Sequence, residues 1–123
     1  AMTNSMKAGV LTLLMATMGA WTSVARADHF TGACAFELNG VEAAIRSATF
    51  AGQNATTDQS NLLAKLEAAN AKVAEGKFSD AVDKLDDISD KATALAGAAK
   101  PKLADATGIN TAVASAISCV GRL

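Results

Sequence analysis

Residues 61–95 read NLLAKLEAANAKVAEGKFSDAVDKLDDISDKATAL, a run that holds two amphipathic helices and the turn between them. Leu62, Leu63, Leu66, Ala69 and Val73 recur every three or four positions, the spacing that lines one side of a helix, so a helix is expected from about Asp58 to Glu75. Gly76 is placed to end it, because glycine enters the left-handed conformation that closes a helix without a steric penalty. After the turn Gly76-Lys77-Phe78, Ser79 stands where a hydroxyl caps free amides. Phe78, Val82, Leu85, Ile88, Ala92 and Leu95 then repeat at helical spacing. So short a link sets the two helices antiparallel, each with one apolar stripe to bury.

Working outward, the segment before this pair opens at Asn39, read as a cap with Glu42 three residues on. Val41, Ile45, Ala48 and Thr49 share its apolar face, and it fades near Gly52. The segment after the pair follows the break that Pro101 imposes and runs from about Leu103 to Val120, with Ile109, Val113, Ala116, Ile117 and Val120 as its stripe. Gly108 weakens its start. Ala, Leu, Lys, Glu and Asp dominate these stretches, a composition that favours helix over strand. The fold expected is all-α, a single small antiparallel bundle of about four helices.

The chain has 123 residues, room for one small domain. Its beginning reads as a leader. Lys7 supplies a positive charge, Ala8 to Trp21 is an uncharged apolar run of 14 residues, and Val24-Ala25-Arg26-Ala27 places small residues at the third and first positions before a cut. Residues 1–27 are therefore expected to be a secretory signal with one added residue, Ala1, in front, and residues 28–123 the mature domain. An apolar run of that length falls short of the roughly 20 residues a membrane helix needs, so no stable membrane insertion is expected after cleavage. A lipoprotein signal is the rival, since Gly32-Ala33-Cys34 ends a lipobox-like run. It fails because Thr31 stands where Leu is usual, and because Arg26, Asp28 and His29 separate Cys34 from the apolar run. Removal of Lys7 and Arg26 from the 11 basic side chains leaves 9 against 12 acidic ones, a mature charge of −3. The only Trp, Trp21, leaves with the leader, so processing should remove nearly all absorbance at 280 nm.

Cys34 and Cys119 are the only cysteines and pair in one way. In the oxidising space outside the inner membrane they are expected to form an intramolecular disulfide, the alternatives being free thiols or a bridge between chains. That bond would lay the irregular stretch Phe30 to Phe36 along the end of the last helix, with both Phe rings covering the bundle. There is no Cys-x-x-Cys for thioredoxin-like redox chemistry.

Catalysis requires a positioned acid, base or nucleophile. His29 is the sole histidine and falls second in the mature chain, where it reads as an exposed tail residue, so no catalytic residues and no enzyme are expected. His29 with Asp28 and a new α-amino group offers copper or nickel only a loose hold, and too few ligands for a closed site, so neither metal nor cofactor is expected. The lysines are scattered and not interleaved with aromatics, which argues against nucleic acid.

The third segment carries Asp80, Asp83, Asp86, Asp87 and Asp90. Asp80 with Lys84, and Asp87 with Lys91, are four apart and support the helix. This face reads as a solvated surface or as an acidic docking stripe for a basic partner, with Asp80, Asp83, Asp87 and Asp90 as its candidate contacts. Calcium is disfavoured because the acids sit on a continuous helix and not in a 12-residue loop.

The pattern Leu62-Leu63-Ala64-Lys65-Leu66 through Ala69, Gly76, Ala81, Leu85 and Ile88 resembles the FIMAH module, a small helical domain of secreted bacterial proteins. The similarity covers roughly residues 60–120. It departs from the pattern at Ile88, where such modules tend to carry an aromatic, and in the cysteine pair. It implies an extracytoplasmic, non-catalytic accessory or binding module. The whole chain also resembles small exported helical proteins of proteobacteria, some of them noticed as antigens. The expected role is thus an exported, periplasmic or secreted, non-enzymatic protein-interaction module. The alternative is a carrier of a small apolar ligand among the helices.

Overall fold

The structure, a computed structural model, describes residues 29–123; the leader, Trp21 and Asp28 lie outside the described residues. Four helices follow in order: α1 (Ala35–Ser47), α2 (Ala55–Ala74), α3 (Phe78–Ala96) and α4 (Thr107–Gly121). Among the described residues there are no strands, only an isolated antiparallel bridge between Phe50 and Leu103. Each helix packs on its chain neighbours and α4 closes back on α1, so the chain forms an up-and-down bundle of four.

The apolar stripes meet in one core. Val41 and Ile45 of α1, Leu62, Leu66, Ala69 and Val73 of α2, Leu85, Ile88, Ala92 and Leu95 of α3, and Ile109, Val113, Ala116 and Val120 of α4 are all buried, as their spacing requires. Ala69 of α2, Ala81 and Ala92 of α3 and Ala116 of α4 are fully buried, small side chains that allow close packing. Thr49, assigned by sequence to the α1 stripe, lies beyond the helix end and is exposed.

Both ends of the bundle are tied. At one end the α1–α2 link pairs with the α3–α4 link, since Ala51 N–H donates to Lys102 O and Ala104 N–H donates to Thr49 O, each at 3.0 Å. Leu103 belongs to this link and is fully buried there, so α4 starts four residues later than its spacing indicated. Pro101 and the bridge hold that stretch extended. At the other end Gly76, at φ +77°, closes α2 as expected. Phe78, not Ser79, is the first residue of α3, and its N-terminus has no side-chain cap.

Just ahead of α4, Asp105 Oδ1 accepts a 2.9 Å hydrogen bond from the N–H of Thr107, the first residue of the helix. That bond, with a second from the Thr107 hydroxyl, holds the Asp105 carboxyl below the ordinary aspartate range. A depressed acid stabilises the fold above its unfolded value, and that contribution is lost as pH falls through the lower folded one. A carboxyl NMR titration should accordingly place Asp105 below the reference for an unstructured aspartate, and Thr107→Ala should bring it part of the way back.

Candidate functional site

Two regions gather polar chemistry: the outer face of α3, and the short strap, residues 29–34, that leads into α1. On α3, Asp80, Asp83, Asp87 and Asp90 fall within about 80° of the helix circumference at 100° per residue. All four are exposed, while Ala81, Leu85, Ile88 and Ala92 fill the opposite side. The expected pairs with Lys84 and Lys91 are not formed. Among the described residues the ion pairs join His29 to Glu42 and Glu67, Arg46 to Glu42, and Glu75 to Lys72 and Lys77, and none includes an α3 carboxylate. Holding two long exposed side chains together costs rotamer entropy that a water-screened attraction barely repays. The four carboxylates therefore stand without a close ion pair among the described residues, and Lys84 and Lys91 border the stripe on one side.

The strap corrects two expectations. Asn39 does not cap α1; the helix starts at Ala35, with Cys34 at its cap position in a left-handed conformation, φ +58°. Asn39 is instead buried in the second turn and clamps the strap, accepting from Phe30 N–H at 2.9 Å and donating to Phe30 O at 3.0 Å. Phe30 is buried against the core as expected, but Phe36 points to solvent at 87% exposure and covers nothing.

Nor is His29 a free tail. Its ring lies tilted against that of Phe30 with centroids 4.5 Å apart, its Nε2 lies 2.9 Å from Glu67 Oε2 on α2, and its Nδ1 lies 3.6 Å from Glu42 Oε2 on α1. Glu42 is buried, and the same Oε2 accepts from Arg46 Nε at 3.0 Å. A buried carboxylate requires such partners, because desolvation of an unpaired charge costs several kcal/mol. The histidine thus bridges two helices, a role that Glu42 and Glu67, 25 residues apart in the chain, do not announce.

Cys34 and Cys119 are joined, with their Cα atoms 6.0 Å apart, so the strap is pinned to the last turn of α4 as well. One Glu37 carboxylate oxygen lies within 4.8 Å of both sulfurs. This is the one grouping of three ligand-type side chains close enough to share an ion among the described residues. Its sulfurs are spent on each other and offer no thiolate to a metal. Beside the strap a surface groove of about 460 Å³ runs between His29–Ala33 and Asn70, Val73 and Ala74 of α2. No protein-family model, curated protein or solved structure matches the chain. Function must therefore be argued from these surfaces.

No described helix is long and apolar enough to cross a membrane. The disulfide is compatible with an oxidising compartment. Outward charge is unevenly spread: α4 from Thr107 to Gly121 contains no charged residue, whereas α3 carries five aspartates.

Proposed function

We propose that this chain is an exported, non-enzymatic interaction module that engages a basic protein partner through the outer face of α3. The observation that carries this reading is the exposed alignment of Asp80, Asp83, Asp87 and Asp90, none of them paired to a cation among the described residues. A row of like charges on one helix costs the helix a few tenths of a kcal/mol per neighbouring pair. Electrostatic recognition of a basic surface offsets that cost, fixes orientation and speeds encounter. Export is supported by the leader-like residues 1–27 together with the disulfide. The resemblance of the sequence over roughly residues 60–120 to the FIMAH pattern suggests an accessory role and assigns no residue.

Charge reversal tests the surface without disturbing the core. Asp83→Lys, Asp87→Lys and Asp90→Lys together should leave the helical circular dichroism intact and abolish capture of basic partners from periplasmic or host extracts. Capture by the parent should also weaken as salt rises. Equal capture by the parent and the triple variant would dismiss α3 as the docking face.

The groove beside the strap sustains the second reading, a carrier of a small apolar ligand, since Phe30, Val73 and Ala74 give it an apolar wall. Native mass spectrometry of the purified protein separates the two: a retained lipid-like mass favours the carrier, and a bare chain mass favours the interaction module.

A further inference from the structure

The position of Cys34 is one that ordinarily makes a cysteine reactive. It occupies the cap position of α1, where the amides of the first turn point outward, and no side chain caps them. A sulfur at a helix N-terminus is stabilised as thiolate by those amides, which makes it a good leaving group in thiol–disulfide exchange. Neither Cys34 nor Cys119 is fully buried. By these features the bond would be labile.

Glu37 opposes that tendency. It lies in the first turn of α1, and one of its oxygens stands within 4.8 Å of Cys34 Sγ and of Cys119 Sγ. No cation is paired with it among the described residues. We infer that Glu37 keeps the Cys34–Cys119 bond inert toward anionic thiols, so that the strap stays fastened in the presence of glutathione-like reductants.

The chemistry has two steps. A small thiolate attacks Cys119 Sγ, the Cys34–Cys119 bond breaks, a mixed disulfide forms on Cys119, and its electron pair leaves on Cys34 as thiolate. A second small thiolate then attacks the mixed disulfide, releasing the oxidised small disulfide and Cys119 thiolate; the protein gains two electrons and two thiols supply them. The Glu37 carboxylate raises the barrier of the first step in two ways, since it repels the incoming anion and disfavours the thiolate that forms beside the helix end. At about 5 Å in a water-rich setting one unit charge changes such a rate roughly four- to tenfold.

The test measures reduction of the oxidised protein by three thiols whose thiolate forms differ in charge: glutathione, 2-mercaptoethanol and cysteamine. Glu37→Gln should be reduced four- to tenfold faster than the parent by glutathione, by a smaller factor with 2-mercaptoethanol, and least faster with cysteamine, whose thiolate is a zwitterion. Added salt should narrow these gaps. Glu37→Asp, which restores a carboxylate, should return toward the parent rate, and Asp90→Asn, an exposed acid in the half of α3 toward the other end of the bundle, should match the parent throughout. Equal rates for the parent and Glu37→Gln with glutathione would overturn the inference. So would one acceleration common to all three thiols, or a rate independent of thiol concentration, which would mean that global opening limits reduction.

Discussion

Replacing both Cys34 and Cys119 by Ala is expected to lower stability by about 4 kcal/mol and the melting midpoint by roughly 15–25 °C, the effect of a large loss on a domain of this size. The bond closes a loop across a sequence separation of 85, for which the chain-entropy model gives about 4.6 kcal/mol. Part of that is offset within the native state, because Cys34 holds φ +58°, a conformation that costs a residue with a Cβ about 1 kcal/mol. The offset has its own signature. With Cys119→Ala, Cys34→Gly should come out more stable than Cys34→Ala by up to about 1 kcal/mol, since glycine enters that region freely. Thermal unfolding followed at 222 nm measures both differences. A loss under 1 kcal/mol in the double alanine variant would mean that the strap contributes little to the cooperative unit.

Such a large share for one covalent bond fits the size of the core. A domain of fewer than 100 residues buries a modest fraction of its surface, and its net stability is of the order of 5–15 kcal/mol. The bond joins the two ends of the described chain, so the loop it closes contains nearly the whole bundle. Helices α2 and α3 need it least, being linked by a three-residue turn.

That difference between local and distant contacts explains what the sequence made legible. The stripes of α2, α3 and α4 depend on 3.6-residue periodicity within one segment, and most of their buried residues are those the spacing names, although Leu63, Phe78, Val82 and Ile117 are only partly buried and Ala81, outside the named stripe, is fully buried. The stop at Gly76 is equally local, because one residue in the left-handed region suffices. The disulfide was legible for a different reason: two cysteines admit a single pairing. What stayed hidden depends on partners outside the helix itself. Asn39 and Glu42, three residues apart, match a cap in any local reading, yet the same spacing puts both on one side of a helix already under way. There they face the strap, Asn39 toward Phe30 and Glu42 toward His29. The true start at Ala35 carries no cap residue to mark it, because the disulfide and the Phe30 contact hold that end.

The acidic stripe lies between these cases. Its alignment on α3 and its exposure follow from spacing alone, and the four aspartates are where periodicity places them. The lysine partners four residues on were expected by the same rule and are not engaged. An i,i+4 pair is worth only a few tenths of a kcal/mol, too little to hold two exposed side chains in one geometry.

Asn39→Ala is expected to cost about 3 kcal/mol and to loosen the strap while the four helices persist. The substitution leaves Phe30 N–H and Phe30 O without their partner in a buried setting, and each orphaned backbone group carries a desolvation penalty of about 1–3 kcal/mol. Phe30, only 4% exposed in the native protein, would then leave the core, while Cys34 would keep the strap tethered to α4. Hydrogen exchange should show the loss at the Phe30 amide and the first turns of α1, with the interior amides of α2 and α3 slowed in proportion to the remaining global stability. Asn39→Asp sharpens the test, because the new carboxylate can accept from Phe30 N–H but faces Phe30 O with a second acceptor beside buried Glu42. Burial and a neighbouring negative charge raise an acid above its unfolded value. The variant should therefore be weakest at neutral pH and recover as pH falls through that raised value, where the protonated oxygen donates to Phe30 O as the amide did. If Asn39→Ala melts within 1 kcal/mol of the parent and its Phe30 amide stays protected, the clamp is not what seats the strap, and the disulfide alone must be doing so.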